Sequence, residues 1–456
     1  MKNVFTSCFI AFFLITIISY NSCSGRSRNG ERASEETLTD AKNTIDNSDS
    51  ETNVTPIINV YIENSGSMDG YVNGNTEFKG AIRDLLVLLK HYYGQEENIK
   101  IHFINSEIRR TDTKVDLATF AQNINTYWKT SGGNKNSSSL NNVFKMILNK
   151  TDEKTISILF SDCIYSIDGK NAEDLLSDAK SLTKDAFLSR WRVDSLHLAT
   201  TIVKMKSKFT GTYYDKDNKK TSLSEDERPY YICVIGSDNL MLDFNSKIKM
   251  EKGKIEGFDN KYIISSGEIE TPYYSTLLAT ENVGRFKPTR TMSTKEYIHG
   301  IEDISMPSNN RGAGGSDKLT FAVAIDIKNV PVEDDYLLNI ENYRLNNNNF
   351  KIKEIKSIDG NNGIDPTDWN RVNAANPTHI IVLEATGTAL SDITVSLTKQ
   401  VPQWIEQTNI IDDKKIKDNL DKTFGIKYLI EGIAEAYQII YPHDKNFFEF
   451  SISIKP

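Results

Sequence analysis

The stretch Val60-Tyr-Ile-Glu-Asn-Ser-Gly-Ser-Met68 constrains this chain more than any other. Ile58, Val60 and Ile62 alternate with Asn59, Tyr61 and Glu63, which is the two-residue period of a β-strand. The strand runs straight into small polar residues that place Glu63, Ser65 and Ser67 at steps of two. In extended backbone, side chains so spaced point to one side, and Gly66 lets the chain come close. A carboxylate and two hydroxyls on one side are hard oxygen ligands of the kind Mg2+ or Mn2+ takes. The same residues also read as a strand-to-helix turn whose serines cap the next helix, and spacing alone does not separate the two.

Downstream, strand and helix patterns alternate. Asn75 or Thr76 is placed to cap a helix with Phe78, Ile82, Leu85, Leu86 and Leu89 on one face, and Gly94 ends it. Ile99 to Ile104 alternates as a strand with Glu107 to Thr111 as a short hairpin partner, and Leu117 to Trp128 reads as helical. Thr155 to Ser161 is nearly all apolar, as in a central strand covered on both faces. Asn171 to Leu188 is a polar helix, while Leu196 to Val203, Phe209 to Tyr214 and Pro229 to Gly236 are strand-like. Asp215 to Arg228 reads as a charged excursion, and Tyr213, Tyr214, Tyr230 and Tyr231 as cross-strand packing or a partner-facing patch. The expected fold class over residues 56–250 is α/β.

Ile62-Glu-Asn-Ser-Gly-Ser-Met68 resembles the Asp-x-Ser-x-Ser loop of the von Willebrand factor A domain, the fold of integrin inserted domains. The resemblance implies a doubly wound, mostly parallel sheet over residues 56–250, with a divalent cation at the carboxyl end of the sheet, where a partner's carboxylate completes the coordination. Ser131-Gly-Gly-Asn-Lys-Asn-Ser-Ser-Ser139 stands in the place of the family's Gly-Thr-x loop, with Ser138 the best match to its ligand Thr and Ser137 second. Asp162 matches the last carboxylate, although alone it also reads as a strand-end cap. The implied metal set is therefore Glu63, Ser65, Ser67, Ser138 and Asp162. Glu63 departs from the family, which has Asp there. A carboxylate one methylene longer must still fit an octahedral site with ligands at about 2.0 to 2.1 Å.

Outside this domain the chain divides further. Met1-Lys-Asn and the apolar run Val4 to Tyr20 read as a secretory signal, and Asn21-Ser-Cys23 resembles the lipobox of bacterial lipoproteins. Residues 1–23 are thus expected to be a lipoprotein-type signal peptide, with Cys23 lipidated or, alternatively, the run kept as a single-span anchor. Residues 24–55, nearly devoid of apolar side chains, read as a flexible polar linker. Residues 251–315 form a connecting segment, and 316–456 a C-terminal β-rich domain of sandwich type. Within it Asp359-Gly-Asn-Asn-Gly363 reads as a turn, and Ile426, Ile430, Ile433 and Tyr437 mark a helix that docks back on one of the two domains. Cys163 and Cys233 lie beside apolar strands, as buried small hydrophobes or as a pair.

Three functions remain in view. A net charge of -8 with dispersed basic residues gives no nucleic-acid footprint. The six histidines are scattered, and the chain contains neither His-Glu-x-x-His nor Gly-x-Ser-x-Gly, so the expectation is not an enzyme. The first reading is a lipid-anchored, extracytoplasmic protein of the bacterial envelope that binds a protein partner, through an acidic side chain, at a cation-dependent loop. The others are a metal-free structural part of an envelope complex and, further off, a metal-dependent hydrolase.

Overall fold

A computed structural model describes residues 55–94, 96–111, 117–134, 139–167, 171–266, 271–305, 318–387 and 389–455. Cys23, the expected leader and the expected linker up to residue 54 lie outside the described residues. No described helix is long and apolar enough to cross a membrane.

The first half runs β1 (Ile57–Glu63), α1 (Asp69–Val72), α2 (Glu77–Tyr93), β2 (Ile99–Ile104), β3 (Ile108–Arg110), α3 (Leu117–Gln122), α4 (Ile124–Thr130), α5 (Leu140–Leu148) and β4 (Thr155–Ser161). It continues through α6 (Ala172–Asp194), β5 (Leu198–Tyr214), β6 (Lys220–Ser237), α7 (Asp238–Lys247) and β7 (Phe258–Ile264). Its seven strands form one sheet in the order β3-β2-β1-β4-β6-β5-β7. Parallel pairing holds the centre, β2-β1-β4, while β3, β6, β5 and β7 extend it with antiparallel pairs.

Both faces of this sheet are covered. Ile156, Ile158 and Phe160 of β4 pack under α2, α3, α4 and α7, through side chains such as Phe78, Leu85, Trp128 and Phe244. Leu159 faces the other way, toward Phe144 of α5 and Phe187 of α6. Helix α2 ends as its sequence dictates, on Gly94 at φ 69° with its N–H bonded to the Lys90 carbonyl. Thr76 stands at the N-cap position but does not cap with its side chain. Its hydroxyl donates instead to the Tyr71 carbonyl at 2.6 Å. The helical stretch from Leu117 to Trp128 is broken at Asn123, whose side-chain amide donates to the Thr119 carbonyl.

The second half supplies β8 (Tyr274–Thr276), β9 (Arg285–Pro288), β10 (Gly300–Ser305), β11 (Thr320–Ile325), α8 (Asp334–Leu338), β12 (Tyr343–Leu345), β13 (Phe350–Ser357) and α9 (Pro366–Val372). Then come β14 (His379–Ala385), β15 (Ile393–Thr398), α10 (Gln403–Thr408), β16 (Asn409–Ile410), β17 (Thr423–Phe424), α11 (Ile426–Ile440) and β18 (Asn446–Ile454). Two sheets, β13-β14-β11-β8 and β12-β15-β18-β10-β9, share one apolar core that includes Phe321, Val323, Leu383, Val395, Phe450 and Ile452. That is a β-sandwich. Helix α9 covers the outer face of the four-stranded sheet through Val372.

Two features adjust the domain reading. The segment expected only to connect the halves carries β7, β8, β9 and β10, so it contributes to all three large sheets. Residues 403–440 leave the sandwich, and α11 lies on α6 in the second core of the α/β layer. Lys180 and Lys184 of α6 meet Glu431 and Glu435 across that contact at 2.5 to 3.2 Å, and Tyr437 bonds Thr200 at 2.9 Å. Cys163 and Cys233 are buried free thiols in the same core.

Candidate cation site at the rim of the parallel strands

β1 and β4 lie side by side, parallel and in register from Ile57↔Thr155 to Ile62↔Phe160. Their carboxyl ends therefore reach the same rim, which brings Glu63, the last residue of β1, level with Ser161 and next to Asp162. In open α/β sheets this is the edge where ligands bind. Ser65 is extended, at φ -67° and ψ 165°, and Gly66–Met68 make one tight turn that folds Ser67 back. The Ser65 and Ser67 hydroxyls end 3.0 Å apart. Ser65 caps nothing with its side chain, so the two hydroxyls face each other rather than serving as helix caps.

Asp162 sits beneath them and is almost wholly buried, at 2% exposure. Its Oδ1 accepts from the Ile164 N–H at 3.2 Å, whereas Oδ2 has no hydrogen-bond partner among the described residues. Burial, reinforced by the Glu63 charge, pushes this carboxyl up to about 7, and the nearby Ser67 hydroxyl and Arg228 guanidinium temper the rise. Glu63 is buried as well, and its Oε2 accepts a short hydrogen bond from the Ser161 hydroxyl. The Asp162 N–H is directed at the Met68 sulfur at 3.1 Å, which ties the loop to the end of β4.

Four of the five expected ligands are thus gathered at one rim: Glu63, Ser65, Ser67 and Asp162. The fifth, Ser138, and its runner-up Ser137 lie outside the described residues. The start of their loop is described and is pinned to this rim. Asn64 donates to the Ser131 hydroxyl, and Asn105 donates to the Asn64 side-chain oxygen at 2.9 Å and to the Gly132 carbonyl at 3.2 Å. Gly133, at φ 78°, leaves Asn105 the space a side chain would take, since a Cβ there would lie 2.4 Å from its Oδ1. Among the described residues no three His, Cys, Asp or Glu cluster as a metal set. A cation at this rim would rest on two carboxylates and hydroxyls, and the orphaned Asp162 oxygen suits that donor set.

An arm hangs over the site, and the sequence reading did not anticipate it. β5 and β6 pair on past the ends of their other partners, from Lys206↔Pro229 out to Tyr214↔Lys220. Phe209 lies against Gly70 at the arm's base, Asn73 donates to the Thr210 carbonyl, and the Tyr213 hydroxyl donates to Asp413 at 2.6 Å. Arg228, 1% exposed, donates to the Leu420 and Lys422 carbonyls and stacks on Tyr213 at 4.7 Å. Between the arm tip and the Glu63–Ser67 loop is a cavity of about 410 Å³.

Gly70→Ala tests the seat of this arm. The new Cβ would fall 2.3 to 2.6 Å from three Phe209 ring atoms, so the ring must leave its position. A loss of about 1–3 kcal/mol in urea-unfolding stability is expected, as for an overpacked core. An unchanged midpoint would mean that the arm is not seated there.

No protein-family model matches this chain, and no curated protein matches it in sequence.

Proposed function

We propose that this protein is a binding module, tethered to the bacterial envelope through Cys23, that presents a divalent cation, Mg2+ or Mn2+, to a carboxylate on a partner protein. Glu63, Ser65, Ser67 and Asp162 would hold the cation, with Ser138 as the fifth donor. When bound, the ion supplies a positive centre with one open position for the partner. The chain's own part is to aim oxygens at one point and to keep Asp162 out of water. The observation that carries this reading is Asp162 Oδ2, a buried carboxylate oxygen with no hydrogen-bond partner among the described residues. Buried polar atoms are rarely left so, and an ion is one of the few partners that would satisfy it.

A second reading, a metal-free structural part of an envelope complex, draws on the hydrogen bond from Ser161 to Glu63, which engages the other carboxylate without an ion. Calorimetric titration of the full chain in detergent with Mg2+, Mn2+ and Ca2+ decides between them. Saturable uptake of one ion per chain, lost in Ser65→Ala and Asp162→Ala, is the expected result. No heat with any of the three ions in the unaltered protein would remove the cation reading.

A further inference from the structure

We propose that the cavity between the cation loop and the arm tip receives a partner segment with two acidic groups, one directed to the cation and the second to Lys220. This rests on the cation reading above and names the partner it selects.

The cavity has room for more than one carboxylate. At about 410 Å³ it falls within the range of pockets that enclose whole small ligands, so a partner enters with a short segment rather than resting on a flat surface. Its wall is charged, and the charges are not equivalent. Asp215 is spent within the arm-tip turn, where its carboxylate accepts from the Asp217 N–H at 3.0 Å and the Lys219 N–H at 2.8 Å. Asp413 is spent on the Tyr213 hydroxyl and the Lys216 N–H, at 2.6 and 3.0 Å. The Lys216 ammonium lies 3.3 Å from Asp217. Lys220 is different: its ammonium rests 5.6 Å from the centre of the Tyr214 ring and makes no ion pair among the described residues.

The arm fixes the backbone that carries that ammonium. Phe209 on Gly70, Asn73 on Thr210 and Tyr213 on Asp413 hold the ribbon down, and the Asp215 turn closes its tip. A cation that lines the same cavity as the cation loop rewards a ligand whose second negative charge is at a matching distance from the first. With no ion at the loop, Glu63 and Asp162 repel the same segment, so recognition of two acidic groups depends on the ion.

The test uses the full chain in detergent micelles with saturating Mg2+ and two fluorescent synthetic peptides, Gly-Asp-Gly-Gly-Gly and Gly-Asp-Gly-Glu-Gly, both amidated. Anisotropy titration at low salt is expected to favour the diacidic peptide by about three- to fivefold, the strength of one partly exposed ion pair. Lys220→Ala should erase that preference while leaving the monoacidic peptide unchanged, and Lys220→Glu should reverse it. Equal affinities in the unaltered protein, or a preference that survives Lys220→Ala, would overturn the proposal. A preference that needs Lys220 but persists in EDTA would keep the pocket and remove the cation reading. Calorimetric Mg2+ uptake with neither peptide bound would keep the cation reading and remove the pocket.

Discussion

Replacing Asp162 with asparagine is expected to stabilise the cation-free protein while abolishing its uptake of Mg2+. Asparagine keeps an oxygen for the Ile164 N–H and occupies the same volume. It also removes a buried negative charge next to Glu63. Because the folded state raises the Asp162 carboxyl from its ordinary value to about 7, the folded state binds that proton more tightly than the unfolded chain does. Stability from this group is then greatest below about pH 4, falls as pH rises to about 7, and stays low above that. Urea unfolding in EDTA at about pH 8 should show Asp162→Asn more stable by something on the order of 2–4 kcal/mol, with the difference vanishing near pH 4. Saturating Mg2+ should reverse the order by stabilising only the unaltered protein. A residue kept only for structure would act oppositely, and a less stable variant at pH 8 in EDTA would sink the argument.

The loop from Val60 to Met68 is legible through the spacing of Glu63, Ser65 and Ser67 at the end of an apolar strand. Strands β1 and β4 and helix α2 were legible because each has one face or both committed to a core, and that commitment writes a period into the residues. Serine spacing pointed Ser65 and Ser67 to one side of an extended chain, whereas it is the tight turn of Gly66–Met68 that brings their hydroxyls together. Nothing local could have shown that Ser161 donates to Glu63, since the two are 98 residues apart and only the strand register makes them level. The arm was illegible for a different reason. From Lys220 to Glu227 it is mostly exposed, so its residues carry no alternation and read as a charged excursion. Strands such as Tyr274–Thr276 and Arg285–Pro288 are shorter than the window in which a period can be seen. Helix α11 was readable from Ile426, Ile430, Ile433 and Tyr437, but its surface on α6 was not, because an amphipathic face says that something covers it and not what.

That last contact makes the effect of Asp368→Ala reach beyond its own neighbourhood. The Asp368 carboxylate, 1% exposed, accepts from the backbone N–H groups of Leu278, Ala279 and Thr280 at 2.8 Å each, from the Thr280 hydroxyl and from Arg371. Burial alone would raise this carboxyl, but the donors outweigh it and hold it below the usual range. Its stabilising contribution is present above the unfolded value and is lost as pH falls through the folded one, the reverse of Asp162. Alanine would strand three backbone donors and leave the Arg371 guanidinium with the Thr276 carbonyl in place of its ion pair, at a cost of about 3–5 kcal/mol near neutral pH. The chain leaves the sandwich after β15, lays α10 and α11 on the α/β layer, and returns to the sandwich as β18. Neither layer can therefore unfold without pulling on the other. The expected result is a single urea transition, displaced equally when followed by far-UV circular dichroism or by tryptophan fluorescence, because Trp128 lies in the α/β core and Trp369 beside Asp368 on α9. Two separate transitions, with only one moved by Asp368→Ala, would show that the layers fold independently and that α11 is a loose cover.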